Sequence, residues 1–307
     1  MALSFKKAVR EKIWLKILLS SPSGGGKSYS ALRVAKGIAD KCDSRIAYIG
    51  TEGSRDLYYS NEFDYDLIQL DDPFTIDKYI EAIDAAIDAN YKVLIIDSIS
   101  AEWAWLNDTH DRMQGNSFTN WGKLKPQHQK FIDKILLSPI HVVCTARGKD
   151  EWVLEDSDKG KKVPKLVGLG SQQDKNIQYN YTVTFTLAQD THIATATKDN
   201  THIFTNKYDV LTEKDGAALY DWANSSDIPA TVKEPPKYEA PSVSAEDELK
   251  AIKKDIVAEC VRAGGSKNEE LMAALKEFVP SGNPNAIKSI DKAKECLAKV
   301  KGIKSVE

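Results

Sequence analysis

The strongest constraint on this chain is one short run, Ser21-Pro22-Ser23-Gly24-Gly25-Gly26-Lys27-Ser28, set between an apolar stretch and a helical pattern. Three consecutive glycines let backbone N–H groups turn inward. The helix that follows adds a partial positive charge at its N-terminus, and the two together form a cradle for anions. Lys27 then reaches the outer phosphates of a nucleotide and the Ser28 hydroxyl ligates Mg²⁺. The run fits GxxxxGK[ST] with Ser21 in place of the first glycine. Ser23, Gly24, Gly25, Gly26, Lys27, Ser28 and Tyr29 are therefore candidate nucleotide-binding residues. A glycine-rich turn with an incidental lysine is the alternative.

Such a loop needs a strand before it and a helix after it, and the flanking pattern is of that kind. Apolar runs at 13–19, 45–49, 66–70, 93–96 and 141–145 read as strands, with helical patterns at 29–39, 73–90, 130–137 and 214–222. Ile76, Ile80, Ile83 and Ile87 repeat at three and four residues and give one apolar helix face. Alternating Tyr181, Val183, Phe185 and Leu187, then 193–197, read as two half-exposed strands closing the sheet. The fold class is α/β, a mostly parallel sheet flanked by helices. Residues 1–224 form this core. A linker over 225–243 holds Pro229, Pro235, Pro236 and Pro241, and 244–307 form a small helical module with helices at 245–263, 268–278 and 285–301.

Charge and cysteine content narrow the function classes. The 42 basic and 45 acidic side chains leave −3, against a generally basic nucleic-acid binder, though a local basic loop is still compatible with that balance. Cys42, Cys144, Cys260 and Cys296 form no CxxC pair and read as reduced thiols of a cytoplasmic protein. The apolar stretch near the start is interrupted by Lys16 and is too short to cross a bilayer.

Val93-Leu94-Ile95-Ile96-Asp97-Ser98 places a carboxylate at the end of a buried strand, where open α/β sheets bind ligands. Asp97 is the second candidate for the Mg²⁺ shell. Ser98, not glutamate, follows it, so the acid that activates water is sought elsewhere. Glu52, in Tyr48-Ile49-Gly50-Thr51-Glu52-Gly53-Ser54, ends the strand after the glycine-loop helix and is the candidate; a solvated loop acid is the alternative.

These segments resemble the RecA/RadA recombinase core, in which a glutamate at the position of Glu52 activates the attacking water. Residues 97–103, 120–136, 141–152 and 175–187 are similar to phage RecA/RadA-like ATPases of the Sak single-strand annealing group. The resemblance spans roughly residues 10–224 and implies ATP, Mg²⁺, single-stranded DNA and annealing or strand pairing, often alongside a single-strand-binding protein. It places Thr145 or Arg147 as a γ-phosphate sensor, with Arg147 in a surface ion pair as the alternative. It places Lys198, read as the end of a strand, as a cation lent to a neighbouring subunit's site, with a solvated lysine as the alternative. Long loops are expected at 107–122, holding Phe118 and Trp121, and at 148–175. The second carries Lys149, Trp152, Lys161, Lys162 and Lys165, which suit phosphates and an unpaired base; Glu151, Glu155, Asp156 and Asp158 partly cancel the field, and a solvated charged face is the alternative. Phe5 and Ala8 fit an F-x-x-A tether of a homo-oligomeric ring or filament. An AAA+-type helicase loader and a nucleotide-gated assembly ATPase acting on a protein are the competing readings.

Overall fold

The computed structural model describes residues 5, 7–114, 117–156, 162–174, 176–232, 236 and 245–304, with backbone alone for 149–156, 162–170, 245–248 and 251. The first unit, Met1–Tyr238, contains the sheet; the second is Glu239–Glu307. No helix among the described residues is long and apolar enough to cross a membrane.

In chain order the first unit runs β1 (Lys16–Ser21), α1 (Lys27–Cys42), β2 (Ile46–Gly50), β3 (Tyr65–Gln69), α2 (Ile76–Asp88), β4 (Val93–Asp97), α3 (Ser100–Arg112), α4 (Ser117–Leu137), β5 (His141–Asp156), β6 (Lys162–Ser171), β7 (Val183–Leu187), β8 (Ala194–Asp199) and α5 (Glu213–Ala223). The strand order is β3-β2-β4-β5-β1-β7-β8, parallel from β3 through β7, with β8 antiparallel at the edge. The sheet is therefore mostly parallel and flanked by helices, an α/β fold.

Side chains alternate across a strand, and here the alternation divides the core into two layers. Ile17, Leu19, Tyr48, Val93, Ile95 and Phe185 face α1 and α5, packing on Leu32, Ile38 and Leu219. Leu18, Ile49, Leu94, Ile96 and Cys144 face α2, α3 and α4, packing on Tyr79, Ile83, Phe131 and Ile135. Strands buried on both faces read as continuous apolar runs, which is why β1 and β4 were legible. A β-carbon on Gly37 would stand 1.9 Å from the Glu213 carbonyl oxygen, so α1 and α5 approach backbone to backbone.

Four expectations are corrected. Residues 107–122 are not a loop but lie mostly in α3 and α4, where Trp103 and Trp121 pack on the second layer and His110 stacks on Trp121 at 4.5 Å. Residues 148–156 and 162–171 are not a loop either: β5 runs on past the sheet and pairs antiparallel with β6 as a two-stranded ribbon. β7 is not half-exposed but is interior, hydrogen-bonded to β1 and β8. The first unit runs on past 224 at its surface: Lys12 N–H donates to the Ile228 carbonyl at 2.8 Å and Thr231 N–H to Glu11 at 2.9 Å.

The second unit has α6 (Ala245–Arg262), α7 (Glu269–Phe278) and α8 (Ile290–Lys301) around Ile256, Leu271, Leu275, Cys296 and Val300. Asn268 caps α7, its side chain accepting from Leu271 N–H at 3.1 Å.

Candidate nucleotide site

Parallel pairing brings the C-terminal ends of β1, β2, β4 and β5 to one edge. Gly50 stands opposite Asp97, and Ser21 opposite Arg147. Along that edge lies an open cleft of about 870 Å³.

The glycine loop forms its floor. Gly24 and Gly26 take φ of +80° and +77°, a region side chains disfavour, so the loop turns as a phosphate cradle requires. Gly26 caps α1, which has no acidic residue in its first turn, and its leading N–H groups are left for an anion. Gly25 is glycine for another reason: a β-carbon there would stand 2.3 Å from the Ser21 hydroxyl. Ser21 thus occupies space that the usual first glycine leaves open. Lys27 Nζ donates to the carbonyls of Ser21 and Pro22 at 3.2 and 3.1 Å. Burial lowers its pKa, with Asp97 and then Glu52 acting in the opposite sense.

Asp97 is buried and oriented from both sides, accepting from the Tyr48 hydroxyl at 2.6 Å and from the Thr145 hydroxyl. Burial, with Asp97 beside it, raises the Tyr48 pKa, so the phenol remains a donor. Thr145 is fully buried and its hydroxyl orients Asp97.

Glu52 opens a short 3₁₀ turn, Gly53–Leu57, and lines the cleft with Lys27 and Asp97. Its backbone N–H donates to Asp56, whose buried carboxylate is pushed up to about 6 chiefly by desolvation. A β-carbon on Gly50 would stand 2.3 Å from that carboxylate, so Gly50 makes room for it. Both carboxylate oxygens of Glu52 are paired: Oε1 with Arg147 at 3.1 Å and Oε2 with Arg55 at 3.0 Å. Arg147 is therefore in the half-exposed ion pair weighed as its alternative role, and it also lines the cleft.

Tyr29 and Tyr59, which meet edge-on at 5.2 Å, also line the cleft, as do Val210 and Leu211. His192 lies against Gly26, and Gln189 donates to the Ser23 carbonyl at 2.9 Å, bracing the loop from the β7–β8 turn. Tyr48, Arg55, Asp56 and His192 escaped the sequence reading. Arg55 alone left a signal, three residues after Glu52, the spacing at which side chains on one helical turn meet.

The remaining candidates lie elsewhere. Lys198 falls inside β8 rather than at a strand end, and its amine donates to the carbonyls of Tyr179 and Tyr181 at 2.7 and 2.6 Å. It is a half-buried clamp in its own chain, not a solvated lysine. Phe5 and Ala8 are exposed. Lys161 lies outside the described residues, as do the side chains of Lys149, Trp152, Lys162 and Lys165, whose backbones belong to the β5–β6 ribbon.

No group of three or more His, Cys, Asp or Glu among the described residues is arranged to hold a metal by itself. That suits Mg²⁺, which binds through one or two protein oxygens together with substrate phosphates and water. Ser28 and Asp97 at the mouth of a phosphate cradle are such a donor set.

No curated protein sequence matches the chain. Among solved structures it is similar to a KaiC-like protein of the hyperthermophilic archaeon Pyrococcus horikoshii OT3, with 18% identity over 61% of this chain and 80% of that one and a TM-score of 0.36. The family described as AAA domain matches residues 14–215, well over half of the sequence and the whole of the cleft, so the chain belongs to that family of P-loop ATPases.

Proposed function

We propose that the chain hydrolyses Mg-ATP in this cleft and uses the nucleotide to bind single-stranded DNA and anneal complementary strands. The phosphates lie on Gly24–Lys27, and the part lined by Tyr29 and Val210 takes the base. Ser28 and Asp97 would hold Mg²⁺, which would supply charge neutralisation on the outer phosphates. Glu52 takes a proton from water as the water oxygen bonds to the terminal phosphorus. The bond from that phosphorus to the bridging oxygen breaks, and ADP leaves with its electron pair. Lys27 balances the negative charge that develops on the bridge.

The observation that carries the DNA reading is the ribbon. Arg147, Gly148 and Gln172 line the cleft, and β5–β6 begins at those residues. Ser100 ties the root together, accepting from Arg147 N–H and donating to the Gln172 carbonyl, each at 2.9 Å. Over 148–171 five lysines are balanced by five acidic residues; rooted at the nucleotide site, the ribbon couples those lysines, as phosphate contacts, to the state of the cleft. In the oligomer, exposed Phe5 of one subunit docks on the next and Lys198 must first leave its carbonyl clamp to reach a neighbouring site.

The test is ATP turnover with and without single-stranded DNA, in wild type and in Glu52→Gln. Stimulation by DNA is expected, and the variant should lose ~10²-fold in kcat while still binding ATP, the scale of general-base help. Wild-type-like turnover in Glu52→Gln removes Glu52 from the chemistry. ATPase activity indifferent to DNA shifts the function to a protein partner.

A further inference from the structure

Arg147 has two anionic claimants. One is Glu52, whose Oε1 it holds at 3.1 Å; the other is the terminal phosphate that the cleft accommodates on the proposed reading. We propose that Arg147 exchanges partners, leaving Glu52 for the terminal phosphate when a triphosphate binds, so that only Arg55 then holds the carboxylate.

The chemistry favours the exchange. A terminal phosphate carries up to two negative charges and presents three acceptor oxygens, whereas Glu52 offers one charge already shared between two guanidinium groups. Both ion pairs are partly exposed, with Arg147 at 52% and Arg55 at 56%, so breaking either costs little. The arginines are anchored differently. Arg55 sits on the same 3₁₀ turn as Glu52 and moves with it; Arg147 sits within β5, opposite Ser21 at the last pair that β5 makes with β1. Glu52, with both oxygens taken by guanidinium groups, presents neither of them to a water in the cleft. With one pair opened, Oε1 faces the cleft and water while Arg55 keeps the turn aimed. Hydrolytic competence is thereby tied to a triphosphate: a diphosphate has no group at that position to draw Arg147 away. Arg55 is on this account a positioning residue, distinct from the sensor.

The inference rests on the ATPase reading, and binding separates the two. Affinity for the non-hydrolysable analogue AMP-PNP and for ADP, both with Mg²⁺, is measured calorimetrically in wild type, Glu52→Gln, Arg147→Ala and the double variant. Exchange predicts that Glu52→Gln tightens AMP-PNP relative to ADP by about 2- to 5-fold, the scale of a partly exposed ion pair. That gain should shrink when Arg147 is also removed. Plain repulsion between Glu52 and the phosphates predicts the reverse, a gain that persists or grows without Arg147, and that result overturns the exchange. Wild type binding neither nucleotide sinks the ATPase reading and the exchange with it. Arg55→Ala should lower kcat several-fold with AMP-PNP affinity unchanged, and Arg55→Lys should recover part of it. An equal loss in binding assigns Arg55 to the phosphates and ends its positioning role.

Discussion

Lys16 and Lys27 bracket one strand and its loop, and both hold their amines against backbone carbonyls. Lys16 donates to Ser138 and Ile140 at 2.8 and 2.6 Å; Lys27 donates to Ser21 and Pro22 at 3.2 and 3.1 Å. Both pKa values are lowered by burial, Lys16 to about 7. What separates them is their surroundings. Lys16 is almost fully buried, beside Cys144 and His141, and burial with Lys16 adjacent pushes that histidine down to about 3. A neutral amine has two N–H donors, and Lys16 has two carbonyls to receive them. Lys27 opens onto a cleft with two carboxylates in electrostatic reach and a left-handed glycine on its N-terminal side. Hydrogen bonds to carbonyls therefore do not tell the two lysines apart; the acid-flanked opening at Lys27 does.

The largest expected effect breaks the comparison at the sealed end. The folded protein lowers the Lys16 pKa, so between about 7 and 10.5 the unfolded chain binds the extra proton. Stability must then rise with pH through that window, and the contribution is lost on descending through it. For so buried a group the span is on the order of 5 kcal/mol as an upper limit. Lys16→Met removes the titration. Denaturant melts from pH 6.5 to 10 should show wild type gaining on the variant as pH rises, with ATP affinity the same in both at pH 8. Parallel stability curves would show that Lys16 is charged in the fold.

The converse variant, Lys27→Ala, should leave melts nearly unchanged and weaken Mg-ATP by ~10²-fold, the value of charge-assisted bonds to phosphate. A variant that binds ATP normally, or melts far below wild type, erases the distinction between the two lysines.

The same contrast shows which features the sequence reveals. Lys27 was legible because its partners are contiguous: glycines, lysine and serine in one string, with strand and helix signals on either side. Asp97 was legible as the charged end of an apolar run. Lys16 looked like an interruption, because the carbonyls that accommodate it come from the chain turn before β5, far away in sequence. Arg55 needed the 3₁₀ turn, and Arg147 needed the register that sets β5 beside β1. β7 misled because Thr184, facing away from Val183 and Phe185, is itself buried and keeps the alternation that normally signals one wet face. The ribbon misled because its glycines and charges are those of a loop, and only pairing of β5 with β6, a non-local event, makes it a ribbon.

The smallest effect tests how the loop tolerates its irregular first residue. Ser21 is fully buried and its hydroxyl donates to the Pro22 carbonyl at 2.9 Å. Restoring glycine with Ser21→Gly forfeits one hydrogen bond and frees backbone, a loss of about 1 kcal/mol, with ATP affinity little changed. Gly25→Ala alone should be far worse, since its β-carbon would meet the Ser21 Oγ at 2.3 Å and Cβ at 2.7 Å, while the next contact, the Pro22 carbonyl, lies at 3.3 Å. Both near contacts are with the Ser21 side chain, and Gly25 is not left-handed, so alanine is barred there by its neighbour rather than by its own backbone. The double variant should therefore recover most of what Gly25→Ala loses, a coupling of about 1 to 3 kcal/mol read from melts of the four proteins. If Gly25→Ala is equally harmful with serine or glycine at 21, the two positions are independent, and the constraint on Gly25 belongs to the nucleotide cradle alone.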